Sequence, residues 1–221
     1  ASLSRDYAAH GSELGDLLEL IYGAGERWRT ARLTLREWQH TRRTREAIER
    51  LHERQSGGGG RVMMSYAVGG PGPPEPEVVE HVVRTWLDGE RAREEREGPY
   101  AFPTLGVRDG DRWWQCSEQY GASANEAEPG VQSGIGEAAL ALLDPAHVLG
   151  ILRLEPAGEI VVAERPAILV RGAPRDRDGF HPHRLGFGAE AYELVIDRER
   201  GVLLRTTSLL AGEPMSSTEV L

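Results

Sequence analysis

The stretch YELVIDRERGVLLRTTSLLAGEP, residues 192–214, decides the fold class. Tyr192, Leu194 and Ile196 recur at every second position, the period of a strand with one inward face. Asp197 and Gly201 bracket a charged turn, an apolar run follows to Leu210, and Ala211-Gly212 opens another turn before MSSTEVL. The expectation is a hairpin with its arginines on a solvated side and Tyr192, Leu194, Ile196 and Leu204 facing inward. A slip of one residue would exchange the two faces. Asp197, Glu199 and Glu219 are the carboxylates that an acid–base pair could use, but at turns and strand ends a solvated surface carboxylate is the commoner role.

Upstream, EIVVAE and PAILVRGAPR read as two more strands of the same region. Residues 135–153 are predicted helical in two pieces, with Asp144 as N-cap, Pro145 at the first helical position, and Val148, Leu149 and Leu152 as the apolar face. The small, polar residues 121–134 read as a loop. VRDGDRWWQCS carries Asp109-Gly110 in the middle of a hairpin, and VVEHVVRTWL reads as a strand entering a turn at Asp88-Gly89. Its four valines favour a pleated surface over the helix that Trp86 and Leu87 would also allow.

In the first quarter, residues 12–28 are predicted as a helix with Ser12 as N-cap, ended by Gly23 and Gly25. RTARLTLREW then alternates, placing Ala31, Leu33 and Leu35 on one face. TRRTREAIERLHERQ reads as a charged surface helix with a thin stripe of Ala47, Ile48 and Leu51. RVMMSYAV reads as a strand, and the proline-rich run at 69–77 as a loop between strands. Helix, strands, helix pair and strands again make an α+β domain: one large antiparallel sheet with helices on one face. A single domain over 1–221 is expected.

Composition limits the function classes. The net charge of −9 argues against nucleic acid as a partner, and all 26 basic residues are arginine, with no lysine. That usage fits a GC-rich coding bias. No apolar run approaches the roughly 20 residues that span a bilayer, so no integral membrane segment is expected. One cysteine, Cys116, excludes an internal disulfide. ASLSRDYAAHGSELGD has no basic segment ahead of an apolar core; the expectation is no signal peptide, a cytoplasmic chain as it stands, and an exported one if a signal has been removed.

Chemistry-bearing motifs are weak. His181-Pro182-His183 has a ligand-like spacing but no third or fourth ligand nearby, so no metal is expected. Gly57–Gly60 lacks the lysine and following helix of a phosphate loop and reads as a connector. Cys116 has no visible base, and Ser65 and Ser133 lack a nucleophile elbow. Neither a catalytic residue nor a cofactor is expected. Trp28, Trp38, Trp86, Trp113 and Trp114 stand on or beside strands, where they pack a core or line an apolar cavity.

Four pieces, in order, resemble the bacterial lipoprotein-carrier superfamily: VRDGDRWWQCS, LLDPAHVLGIL, GEIVVAERPAILVRGAPR and YELVIDRERGVLLRTTSLLAGEPMSSTEV. They match its Asp-Gly hairpin, its central leucine-rich helix, its strand pair and its closing hairpin. The superfamily groups lipoprotein localisation factors, sensor domains that regulate envelope-stress sigma factors, and lipid-binding lipoproteins of mycobacteria. The resemblance implies a curved antiparallel sheet forming an incomplete β-barrel, with helices packed on its concave face, and against its pattern the segments near 41–60 and 69–77 read as insertions. It also implies non-enzymatic binding of a lipid or acyl chain between sheet and helices. The ligand-lining residues would be Leu33, Leu35, Trp86, Trp114, Leu149, Leu152, Tyr192, Leu194, Ile196 and Leu204. A protein-interaction or regulatory module on the same scaffold, using the charged 41–60 segment, is the alternative. A hydrolase-type enzyme using His181 or His183 is the third reading.

Overall fold

The computed structural model describes residues 3–56, 76–98, 101–118, 121–125, 134–176 and 185–221. Helix α1 (Leu3–Tyr22) closes in a 3-10 turn at Ala24–Arg27, and β1 (Thr30–His40) leads straight into α2 (Thr41–Ser56). Strands β2 (Val78–Asp88), β3 (Arg91–Gly98), β4 (Ala101–Asp109), β5 (Arg112–Ser117) and β6 (Gly121–Asn125) form an up-and-down meander. Two short helices, α3 (Glu137–Leu143) and α4 (His147–Ile151), precede β7 (Leu152–Val162), β8 (Arg165–Pro174), β9 (Ala191–Asp197), β10 (Leu203–Leu210) and β11 (Glu213–Val220).

These strands make one antiparallel sheet in the order β6-β5-β4-β3-β2-β1-β11-β10-β9-β8-β7. Two meanders are therefore welded where β1 pairs β11, Leu35 opposite Val220 and Gln39 opposite Ser216. The edges β6 and β7 do not meet, which leaves the barrel incomplete. Turn chemistry sets the hairpins: Gly89 and Gly110 have positive φ, and Ala163-Glu164 and Ala211-Gly212 are positive at both central residues, as two-residue hairpin loops require.

Alternation delivers one face of the sheet to the helices. Leu33 and Leu35 lie opposite Thr85 and Val83, all on the helix face, and they join Tyr192, Leu194, Ile196 and Leu203 in one buried cluster. Leu17 and Ile21 of α1, Ala47 of α2, Leu142 and Leu143 of α3 and Val148 of α4 fill that face from the other side. The α2 stripe is as expected: Ala47, Ile48 and Leu51 are all buried.

Several local expectations change. Helix α1 begins at Leu3, so Ser12 lies inside it rather than at its N-cap; Ala8 and Ala9 are strong helix formers and carry the helix upstream. Asp144 closes α3, its N–H donating to Leu140 O, and Ala146 is the N-cap of α4. The turn through Pro145 separates the two pieces, and Leu152 already belongs to β7 rather than to the helix. Residues 121–125 are a strand, not a loop, because Ala122 and Ala124 alternate with Ser123 and pair β5. RVMMSYAV, Gly57–Gly60, most of the proline-rich run, Ser133 and His181-Pro182-His183 lie outside the described residues.

Leu204 is the clearest correction. A bulge between Leu203 and Arg205 shifts the register of β10 against β9, so Leu203 and not Leu204 faces the helices. Leu204 instead packs with Ala167 and Val195 in a second cluster on the outer face. The outer side of this hairpin is thus partly apolar, and Val195 is as buried as Leu194.

Candidate functional site

Asp197 is the first candidate, and its surroundings give it a structural role. It is 1% exposed. One carboxylate oxygen accepts the N–H groups of Glu199 (2.9 Å) and Arg200 (2.8 Å), and the other accepts Arg165 Nε at 2.5 Å. It is a buried turn-cap, not the surface carboxylate expected, because Arg165 at the start of β8 reaches across to it. Burial pushes its carboxyl up, but the Arg165 hydrogen bond and the turn N–H groups outweigh this and hold it below the ordinary value. Glu219, by contrast, is spent in an ion pair with Arg36.

A depressed carboxyl contributes stability that is complete above its unfolded pKa of about 3.9 and lost as pH falls through the folded value. Asp197→Ala is therefore expected to cost about 2–3 kcal/mol at neutral pH. In urea titrations the gap to the wild type should stay constant above the unfolded value and shrink as pH falls through the lowered folded value of Asp197. A gap independent of pH would remove the ion pair from the account.

Tyr192 anchors the other end of β9. Its hydroxyl donates to Gly186 O at 3.2 Å, and Gly186 N–H donates to Ser208 Oγ at 3.0 Å. Burial pushes the phenol up to about 12, so it stays protonated and serves as a hydrogen-bond donor.

The ten expected ligand-lining residues do not come together around one space. Leu33, Leu35, Leu152, Tyr192, Leu194 and Ile196 are packed against the helices in the main core. Trp86 lies on the outer face, between the Arg32 and Arg93 guanidinium groups, each 5.4 Å from its ring. Trp114 is outward and 46% exposed, and Leu204 is in the outer cluster. Pairing decides these positions: Leu33 lies opposite Thr85, so its neighbour Trp86 must point to the other side.

The space between the α3–α4 pair and the sheet is polar. A cavity of about 220 Å³ is lined by Glu37, Arg96, Glu137, His147, Thr206 and Thr218, with Leu142, Leu185 and Leu203 among its apolar walls. Arg96 Nη1 donates to Glu37 at 2.5 Å, and its other arm lies 3.6 Å from Glu94. Glu94 also accepts Gly136 N–H at 3.0 Å, tying the start of α3 to β3. His81 stands opposite Glu37; burial first, then the Arg96 charge, lowers its pKa and favours the neutral ring. An acyl chain here would lie against Glu37, Arg96 and Glu137 as well as the leucines.

Apolar space lies instead along both flanks of α1. On one side an open groove of about 610 Å³ runs between α1 and β7–β8, with Leu17, Leu20, Pro156, Ala157 and Ile168 as its floor and Glu13, Asp16, Glu159 and Arg198 at its rim. On the other, a groove of about 220 Å³ is lined by Leu14, Leu18, Leu149, Leu152 and Leu154, with Arg153 and Arg175. Leu149 and Leu152, both expected to line the site, border this smaller groove. The larger groove was missed because its floor combines a core residue, Leu17, with half-buried Leu20, Pro156 and Ile168 and exposed Ala157, which no single sequence pattern groups. The bulge between Pro156 and Gly158 opens it, and no sequence period announces a bulge.

No family model and no curated protein matches the chain. Among solved structures, it is similar to MucB in the Pseudomonas aeruginosa MucA/MucB complex, at 17% identity over 93% of this chain and 54% of that one, with a TM-score of 0.45. It is also similar to an uncharacterized conserved protein from Thermus thermophilus (12%, 95% and 85%, TM-score 0.48) and a LolA superfamily protein from Nitrosomonas europaea (9%, 93% and 90%, TM-score 0.28). The chain spans about half the length of the MucB chain. The α+β class itself is carried by the open eleven-stranded sheet and its helices.

Proposed function

We propose that this protein is a non-enzymatic binding protein that holds an apolar chain in the groove between α1 and β7–β8. One observation carries the reading: an open space of about 610 Å³ with an apolar floor, on the helix face of an incomplete barrel. That volume lies within the roughly 300–1,000 Å³ of small-molecule sites. Each methylene moved from water onto Leu17, Leu20 and Ile168 is worth about 0.8 kcal/mol, so affinity needs no catalytic or metal chemistry. Among the described residues no cluster of three or more His, Cys, Asp or Glu side chains could hold a metal ion, and no helix is long and apolar enough to cross a membrane.

The charged helix α2 supports the partner-protein alternative less well. Arg50 pairs with Glu46 on its own helix and with Glu190, and Arg43 with Glu213, so much of its charge serves to hold α2 on its own sheet.

Ala157 is exposed and lines the groove without belonging to the core, so Ala157→Trp fills the space and leaves the fold intact. N-phenyl-1-naphthylamine fluorescence is expected to rise on binding the wild type, with at least about tenfold weaker binding to Ala157→Trp at unchanged thermal stability. Equal binding to both proteins would rule the groove out as the site.

A further inference from the structure

We infer that the groove beside α1 selects an apolar chain carrying a cationic head, an alkylamine or alkylammonium, over a fatty acid. The inference rests on the reading of this groove as an apolar-ligand site. The floor of Leu17, Leu20, Pro156 and Ile168 accepts the chain; the four charged groups at the rim decide the head. Arg198 is neutralised there by an ion pair with Glu159. Glu13 and Asp16 remain, one helical turn apart on α1, exposed, and in no ion pair with a described residue. The rim therefore presents two uncompensated negative charges beside the mouth of an apolar trough.

A carboxylate head entering that rim meets like charge, while an ammonium meets two acceptors. The far flank of α1 has the opposite sign, with Arg153 and Arg175 beside Leu14, Leu18 and Leu149. A fatty acid is thus electrostatically suited to the smaller groove and unsuited to the larger one. The helix separates two troughs of opposite polarity. Because Glu13 and Asp16 face water, the discrimination they supply is about tenfold, not thousands-fold.

The test compares decyltrimethylammonium, decanoate and decanol by calorimetry at low salt, counting as groove binding only what Ala157→Trp removes. Decyltrimethylammonium is expected to bind the groove about tenfold more tightly than decanoate. The margin should fall with added sodium chloride and disappear in Glu13→Gln/Asp16→Asn. Decanoate binding the groove as tightly as the cation, or a margin unchanged in the double variant, overturns the head-group inference while leaving the apolar groove standing. Decanol binding with no preference for the cation has the same meaning. Failure of all three to bind overturns the groove reading and this inference together.

Discussion

Gly201→Ala is expected to destabilise the protein by about 3 kcal/mol or more, and to weaken binding in the α1 groove. Gly201 ends the charged turn after β9 with φ +73, where a side chain costs about 1–2 kcal/mol by backbone strain alone. A methyl there would also sit 2.1 Å from the Leu20 carbonyl oxygen of α1. That atom is backbone and cannot swing away, so the helix itself must lift, at a further cost of about 1–3 kcal/mol. Leu20 is part of the groove floor, so lifting α1 deforms the groove as well. Gly212→Ala is the control: φ is +79 but nothing lies within 4 Å, so only the strain of about 1–2 kcal/mol is expected. Urea midpoints of the two variants, with N-phenyl-1-naphthylamine binding beside them, check the result. Equal losses would mean that α1 is not held against the turn.

Arg96→Ala is expected to cost about 2–3 kcal/mol at neutral pH, somewhat less than a fully buried pair because Arg96 is partly exposed. The guanidinium lies between Glu37 and Glu94, whose side chains are 21% and 13% exposed. Without it, two carboxylates share one wall of the polar cavity with no cation between them. Urea midpoints of the variant and the wild type at pH 7 measure the loss. Arg96→Ala/Glu37→Gln should regain about half of the loss, since one negative charge is gone. A loss that Glu37→Gln does not restore would show that Arg96 acts by packing its aliphatic stem.

Strand positions were legible where the chemistry is local. Asp88-Gly89, Asp109-Gly110 and Ala211-Gly212 announce turns because their backbone demands positive φ, and the alternation of Ala31, Leu33 and Leu35 announces the inward face of β1. Residues 121–125 were not legible: Ala122 and Ala124 carry too little apolar surface to mark a strand, and only pairing with β5 makes them one. The site was less legible than the fold. Five of the ten residues expected to line it, Leu33, Leu35, Tyr192, Leu194 and Ile196, are inward and apolar as read, but the helices pack against them before any ligand can reach them.

By itself the sequence determined the antiparallel hairpins, the helix stripes of α1 and α2, the absence of lysine and the single cysteine, because each depends on residues close together or merely on composition. Tertiary structure decided the weld of β1 to β11, some 180 residues apart, which joins two meanders into one sheet. It also decided the bulge that exchanges Leu203 for Leu204, the burial of Asp197 under Arg165, and the polar filling of the cavity under α3 and α4. Each of these turns on a long-range register, and a one-residue change of register reverses a face without altering any local pattern.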